Sequence, residues 1–264
     1  MAQHGPHYAR PDVALACFRR TVSSLWRVQC GNEHKQVLWR MAVNGLAGAG
    51  GHEIVQGSVC ACGCALEAPP PRRGPAHELT AHALVRMHHA MWRCEVAQVV
   101  VRALEAVLRR AFPAWQGQLE CRHLWLLHPP CLGLHHEVWA LVCALALSSI
   151  DTGRRRMWAV WRAERAAGPV MRQTTLEEVW HLVAPPPLRA SVLLRAQRAA
   201  VADLWSRVRD VAASTIAPKH WGDATGRAPV PAAHPFFRVV PVPPPRKWAL
   251  ESTLPEDLTR QLFF

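Results

Sequence analysis

Three cysteines lie within five residues, at Cys60, Cys62 and Cys64, and a histidine and a further cysteine follow at His89 and Cys94. Two thiolates, an imidazole and a third thiolate complete the tetrahedral ligand set that structural zinc sites use. We therefore predict zinc as a structural cofactor, bound by Cys60, Cys62, His89 and Cys94. Neighbouring residues compete for these positions: Cys64 in the first pair, and His77, His82 or His88 in place of His89.

The spacing of His89 and Cys94 restricts the backbone between them. The surrounding segment, Glu78 to Phe112, has the composition and apolar periodicity of a helix almost throughout. On a regular helix, residues five apart point about 140° away from each other, so they could not share one metal ion. The metal hypothesis therefore predicts that the helix tightens, breaks or begins again near Arg93.

The rest of the chain predicts a mainly α fold, an irregular helical bundle with a small zinc-knuckle-like loop and a proline-rich, irregular C-terminal tail. Apolar residues recur at helical spacing in most segments between the prolines. Further helices are predicted at Val13–Arg27, Glu33–Leu46, His135–Arg165 (interrupted or bent near Asp151 to Gly153), from Thr175 to before Pro185, at Leu188–Thr215 and at Pro255–Leu262.

The chain is strongly basic, with a formal net charge of +12 and a pI near 10.1. Such a balance favours polyanionic partners, so RNA or DNA, bound through phosphates, is the predicted partner. Almost all of the positive charge is arginine in an alanine- and proline-rich chain, and GC-rich codon usage would produce the same bias without nucleic-acid binding. The predicted phosphate contacts are Arg72, Arg73, Arg154, Arg155 and Arg156.

Several other classes of protein are disfavoured. The polar first ten residues lack the apolar core of a signal peptide, which predicts an intracellular protein, nuclear or cytoplasmic, with reduced thiols. The longest apolar run, Val138–Leu147, is half the length of a membrane span, so no membrane partner is expected. His135-His136-Glu137 lacks the second histidine of a metalloprotease motif, and no phosphate-binding loop or nucleophile elbow occurs, so we predict no enzymatic activity.

The order of several short motifs resembles the zinc-binding region and C-terminal extension of LINE-type (non-LTR) retroelement reverse transcriptases of the green-algal type. The matching strings are LWRMAVNGL at 38–46, CACG at 60–63, HHAMWRCEVAQ at 88–98, LWLLHPP at 124–130, VWALVCALAL at 138–147 and DTGRRRMW at 151–158. The sequence departs from the family's pattern at Glu95, where the family has proline, and at Ala90-Met91, where an aromatic residue is usual.

The resemblance implies a nucleic-acid-binding, structural-zinc module that lacks the polymerase and endonuclease centres, with the polymerase part of the retroelement protein as a further partner. The alternative is a decayed retroelement remnant, or a helical protein-interaction scaffold without metal. Four consecutive segments are expected: a helical lead-in at 1–32, the zinc-knuckle and helix region at 33–112, a helical extension at 113–216 and the proline-rich tail at 217–264.

Overall fold

The structure, a computed structural model, describes residues 16, 19, 22–23, 25–26, 30–42, 60, 62, 64, 84–131, 134–167, 186–214, 234–241 and 248–254. Within these ranges the fold is mainly α, as predicted. The helices, in chain order, are α1 (Asn32–Ala42), a π-helical turn (His89–Arg93), α2 (Glu95–Ala111), α3 (Cys121–Trp125), α4 (His136–Ala167) and α5 (Pro186–Ser214). Residues 84–88 and the described residues between 16 and 26 are also helical.

Most of the predicted helices have a counterpart. The segment Glu33–Leu46 overlaps α1, Leu188–Thr215 matches α5, and Val13–Arg27 contains helical residues wherever it is described. The helices predicted from Thr175 and at Pro255–Leu262 lie outside the described residues. None of the described helices carries an apolar stretch long enough to cross a lipid bilayer.

The predicted interruption of α4 near Asp151 to Gly153 is wrong, because α4 continues through these residues without a break. Gly153 is buried, and a Cβ added to it would lie 2.7 Å from the Cβ of Ala200 and 2.8 Å from Cγ1 of Val96. The absence of a side chain therefore allows neighbouring helices to pack closely here. Tertiary packing has overridden the low helix propensity of glycine.

The C-terminal tail is not irregular throughout, which corrects the prediction. Strand β1 (Phe237–Pro241) pairs with β2 (Trp248–Ser252) in an antiparallel two-stranded sheet, with Arg238 opposite Glu251. The aromatic and β-branched residues of β1 favour extended structure. Its only proline, Pro241, ends the strand, where a missing N–H group costs least.

The chain forms two compact units, and each contains three separate segments of the sequence. Unit 1 comprises residues 1–42, 105–145 and 207–255, and unit 2 comprises 43–104, 146–206 and 256–264. The predicted division into four consecutive segments stays a prediction.

The core of unit 1 surrounds the first part of α4. Every residue from Val138 to Leu145 is buried, and the indole Nε1 of Trp139 donates a hydrogen bond to the carbonyl of His123 on α3 at 3.0 Å. The ring of Trp139 also contacts Phe236, which precedes β1, with a centroid separation of 6.4 Å. The long apolar run is thus a core helix, as the sequence predicts.

Unit 2 contains Cys60, Cys62 and Cys64, the first part of α2 and most of α5. In α2, residues Val96, Ala97, Val100 and Ala103 are buried, and in α5 Ala196, Ala200 and Val201 are buried. Small side chains at these positions permit close approach of the helices, as the contacts around Gly153 require. This packing fixes the start of α2, immediately after Cys94.

Candidate metal centre

The helix that carries His89 changes its geometry before Cys94. Residues His89–Arg93 form a π-helical turn, and the backbone N–H of Cys94 donates to the carbonyl of His89 at 2.7 Å. A hydrogen bond between residues five apart brings them to the same side of the helix, which a regular α-helix cannot do. Cys94 itself leaves the helical conformation, with φ −57° and ψ 140°, and α2 begins at Glu95.

The predicted break near Arg93 is therefore confirmed, although the helix widens rather than tightens. One carbonyl that the break releases finds a new partner, because the side-chain amide of Gln98 donates to the carbonyl of Trp92 at 2.6 Å. The backbone N–H of Gln98 makes the ordinary helical bond to the carbonyl of Cys94 at 2.9 Å, as at the start of a new helix.

The turn brings four sulfur and nitrogen ligand atoms into one cluster. The Sγ atoms of Cys60, Cys62 and Cys94 and a ring nitrogen of His89 all lie within 4.8 Å of one another. Cys60 Sγ is 4.0 Å from Cys94 Sγ, and Cys62 Sγ is 3.6 Å from Nε2 of His89. This cluster of three thiols and one imidazole could hold a metal ion.

The alternative ligands are not part of the cluster in the described residues. The carbonyl of Cys64 accepts a hydrogen bond from the backbone N–H of Cys60 at 2.8 Å, which closes a tight turn over these residues. Cys64 thus supports the cluster through its backbone. His88 is described and lies outside the cluster, whereas His77 and His82 lie outside the described residues.

Hydrogen bonds between the three thiols favour the ionisation of one of them. Hydrogen bonds from Cys62 and then Cys94 lower the pKa of Cys60 well below its ordinary value, against the opposing effect of burial. Correspondingly, the hydrogen bond with Cys60 raises the pKa of Cys62, and it raises that of Cys94 to about 12. The hydrogen bonds between the thiols therefore favour the thiolate form of Cys60, the form that binds a metal ion.

The other cysteines lie in surroundings unlike the cluster. Burial raises the pKa of Cys143 well above its ordinary value, and its thiol donates to the carbonyl of His123. Burial likewise raises the pKa of Cys121 to about 12. Neither joins three potential ligands in the part of the chain that the structure describes. Cys143 is thus a core thiol, as its apolar surroundings in the sequence predict.

The arginines predicted to contact phosphates fall into three groups. Arg155 and Arg156 are exposed on α4, and Arg155 forms an ion pair with Asp151 at 2.7 Å. Arg154 is only 5% exposed, and this burial removes it from the candidate phosphate contacts. Arg72 and Arg73 lie outside the described residues.

The burial of Arg154 is a feature that the sequence does not predict. A run of three arginines is typical of a solvated surface, and nothing in it distinguishes the first from the others. Only the contacts of Gly153, its neighbour in the chain, show that this part of α4 packs against α2 and α5.

Comparison with known proteins yields no relative: no family model, no curated protein and no solved structure matches this chain.

Proposed function

We propose that this chain is a nucleic-acid-binding helical module of a LINE-type retroelement reverse-transcriptase protein, with a structural zinc ion bound by Cys60, Cys62, His89 and Cys94. The observation that carries the proposal is the convergence of these four residues, which are drawn from two segments 27 residues apart in the sequence. The resemblance of the surrounding motifs to that family supplies the retroelement context. No catalytic centre is part of the proposal.

The chemistry of the cluster favours zinc over harder cations. Thiolate and imidazole ligands suit zinc, whereas magnesium and calcium prefer oxygen ligands. Zinc–sulfur bonds of about 2.3 Å at tetrahedral angles place the sulfurs about 3.8 Å apart, close to the 4.0 Å between Cys60 and Cys94. Four protein ligands fill a tetrahedron and leave no position for substrate, which is typical of structural rather than catalytic zinc.

Nucleic-acid binding is supported by charge. The net charge of +12 gives the chain a field that attracts polyanions, and the exposed side chains of Arg155 and Arg156 lie next to each other on α4. Because Arg155 is already paired with Asp151, Arg156 is the better placed of the two for a phosphate contact. Each phosphate neutralised by such contacts releases counterions, so affinity should fall steeply with salt.

The metal part of the proposal is tested by the zinc content of protein purified without chelator. We expect one zinc ion per chain in the parent protein and loss of zinc in Cys94→Ser and in His89→Ala. Cys64→Ser is the matched control, because it removes a thiol from the same turn that lies outside the cluster, and it should retain the metal. A parent protein without zinc, or full retention in Cys94→Ser, would refute the site.

The nucleic-acid part is tested separately by titrating zinc-loaded protein with single-stranded RNA and with duplex DNA at several salt concentrations. A logarithmic plot of affinity against salt should be linear and steep, with a slope of about −0.7 to −0.9 for each neutralised phosphate. Arg156→Gln should reduce that slope. Affinity that is independent of salt would favour the helical scaffold alternative.

A further inference from the structure

Arg154 occupies an unusual position for an arginine. It lies in the middle of α4, is 95% buried, and follows Gly153, whose backbone closely approaches Val96 of α2. Val96 is two residues beyond Cys94 in the sequence. The buried guanidinium is therefore on a stretch of α4 that packs against the first turn of α2, beside the metal cluster.

Burial of a guanidinium is costly unless an anion or hydrogen-bond acceptors compensate it. The Nε of Arg154 has no hydrogen-bond partner, and among the described residues no carboxylate forms an ion pair with this side chain. The acid nearest in sequence, Asp151, forms its ion pair with Arg155. Among the described residues, the charge of Arg154 thus has no carboxylate that compensates it.

The metal cluster supplies an anion of the required sign and location. A zinc ion carries two positive charges and three thiolates carry three negative ones, so the loaded centre has one net negative charge. We propose that Arg154 is the counter-charge of this centre: its guanidinium offsets the net negative charge of zinc bound by Cys60, Cys62, His89 and Cys94. This role rests on the proposed function and makes Arg154 a positioning residue.

The experiment compares zinc affinities by competition with a chromophoric chelator at one pH. Arg154→Lys keeps the charge, Arg154→Gln keeps polarity and hydrogen bonding without charge, and Arg154→Met keeps only the approximate length. We expect Gln and Met to weaken zinc binding by about 10- to 100-fold, as loss of other groups that surround metal ligands does. Lys should retain most of the affinity. The matched control is Arg102→Gln, an exposed arginine of α2, which should bind zinc like the parent.

Two outcomes would overturn the role of Arg154. Equal losses in Arg154→Lys and Arg154→Gln would show that shape, not charge, matters, and Arg154→Gln with parental affinity would show that no counter-charge is needed. If Arg154→Met fails to fold, as judged by circular dichroism, the Lys and Gln pair decides the question alone. A parent protein that binds no zinc would refute the metal site itself, whereas the first two results refute only the role of Arg154.

Discussion

Substitution of Gly153 by alanine tests the close packing in unit 2. Alanine is the better helix former by about 1 kcal/mol, so helix propensity alone predicts stabilisation. The structure predicts the opposite, because the added methyl group would lie 2.7 Å from Cβ of Ala200, 2.8 Å from Cγ1 of Val96 and 3.1 Å from the carbonyl oxygen of Ala196. Carbon atoms prefer separations of about 3.5–4.0 Å, so two contacts are too short by roughly 1 Å.

The neighbours of Gly153 have little freedom to relieve this overlap. The Cβ of Ala200 is attached directly to the backbone, the oxygen of Ala196 belongs to it, and Val96 is β-branched with one preferred helical rotamer. Overpacking of this kind costs about 1–3 kcal/mol, so after the gain of about 1 kcal/mol in propensity the net loss is about 0–2 kcal/mol. The loss should be larger for Gly153→Val.

The assay is equilibrium unfolding in urea, with Ala202→Gly as the matched control. Ala202 is exposed on α5, so this change measures helix propensity without packing, and it should destabilise by about 1 kcal/mol. The reasoning would be refuted if Gly153→Ala stabilised the protein by a similar amount, since that would show that space exists where the structure has none.

Two further predictions concern buried polar groups in unit 1. Glu105 accepts a hydrogen bond from the buried backbone N–H of Leu119 at 2.7 Å, so Glu105→Ala should lower the free energy of unfolding in urea by about 1–3 kcal/mol. Arg109→Ala removes the exposed ion-pair partner of Glu105, 3.0 Å away, and should lower it by less than about 1 kcal/mol. Burial, followed by the charge of His135, lowers the pKa of His234 to about 3. The unfolded chain therefore binds a proton that the folded chain excludes, and stability falls as pH decreases below the ordinary value of 6.5, by roughly 1.3 kcal/mol between pH 7 and pH 5.5. His234→Gln should remove this component of the pH dependence, and an unchanged difference between the two pH values would contradict it.

The spacing of the ligands in the sequence predicts part of the structure of the cluster. The five-residue separation of His89 and Cys94 required a departure from α-helical geometry, and the structure has one at that point. The spacing does not predict which form this departure from α-helical geometry takes. A widened turn with an i to i−5 hydrogen bond and a break at Cys94 depend on partners such as Gln98, whose side chain satisfies a released carbonyl.

At Gly153 and the three arginines that follow it, the sequence does not predict the structure. The string Asp151-Thr-Gly153 has the composition of a turn, and local propensity predicted an interruption. The deciding contacts come from Val96 and Ala200, which are distant in sequence, and no local pattern reports them. For the same reason, the burial of Arg154 could not be separated from the exposure of Arg155 and Arg156.

The prediction of an irregular C-terminal tail is wrong at β1 and β2, and the reason lies in the composition of the tail. The many prolines of the tail disfavour strands, but in β1 the only proline stands at its last position. The alternation of buried Phe237 with exposed Arg238, which pairs across the sheet with Glu251, is the pattern that would have revealed the strand.

Because the ligands come from two distant segments of the sequence, a bound metal ion would cross-link the chain. A metal ion that joins Cys62 to His89 would close a loop of 27 residues, and the entropy of loop closure grows only with the logarithm of length. Doubling that loop would cost only about 0.6 kcal/mol. The metal ion would then hold Cys60 and Cys62 against the π-helical turn at His89, so lengthening the chain between Cys64 and Leu84 should weaken that connection only slightly.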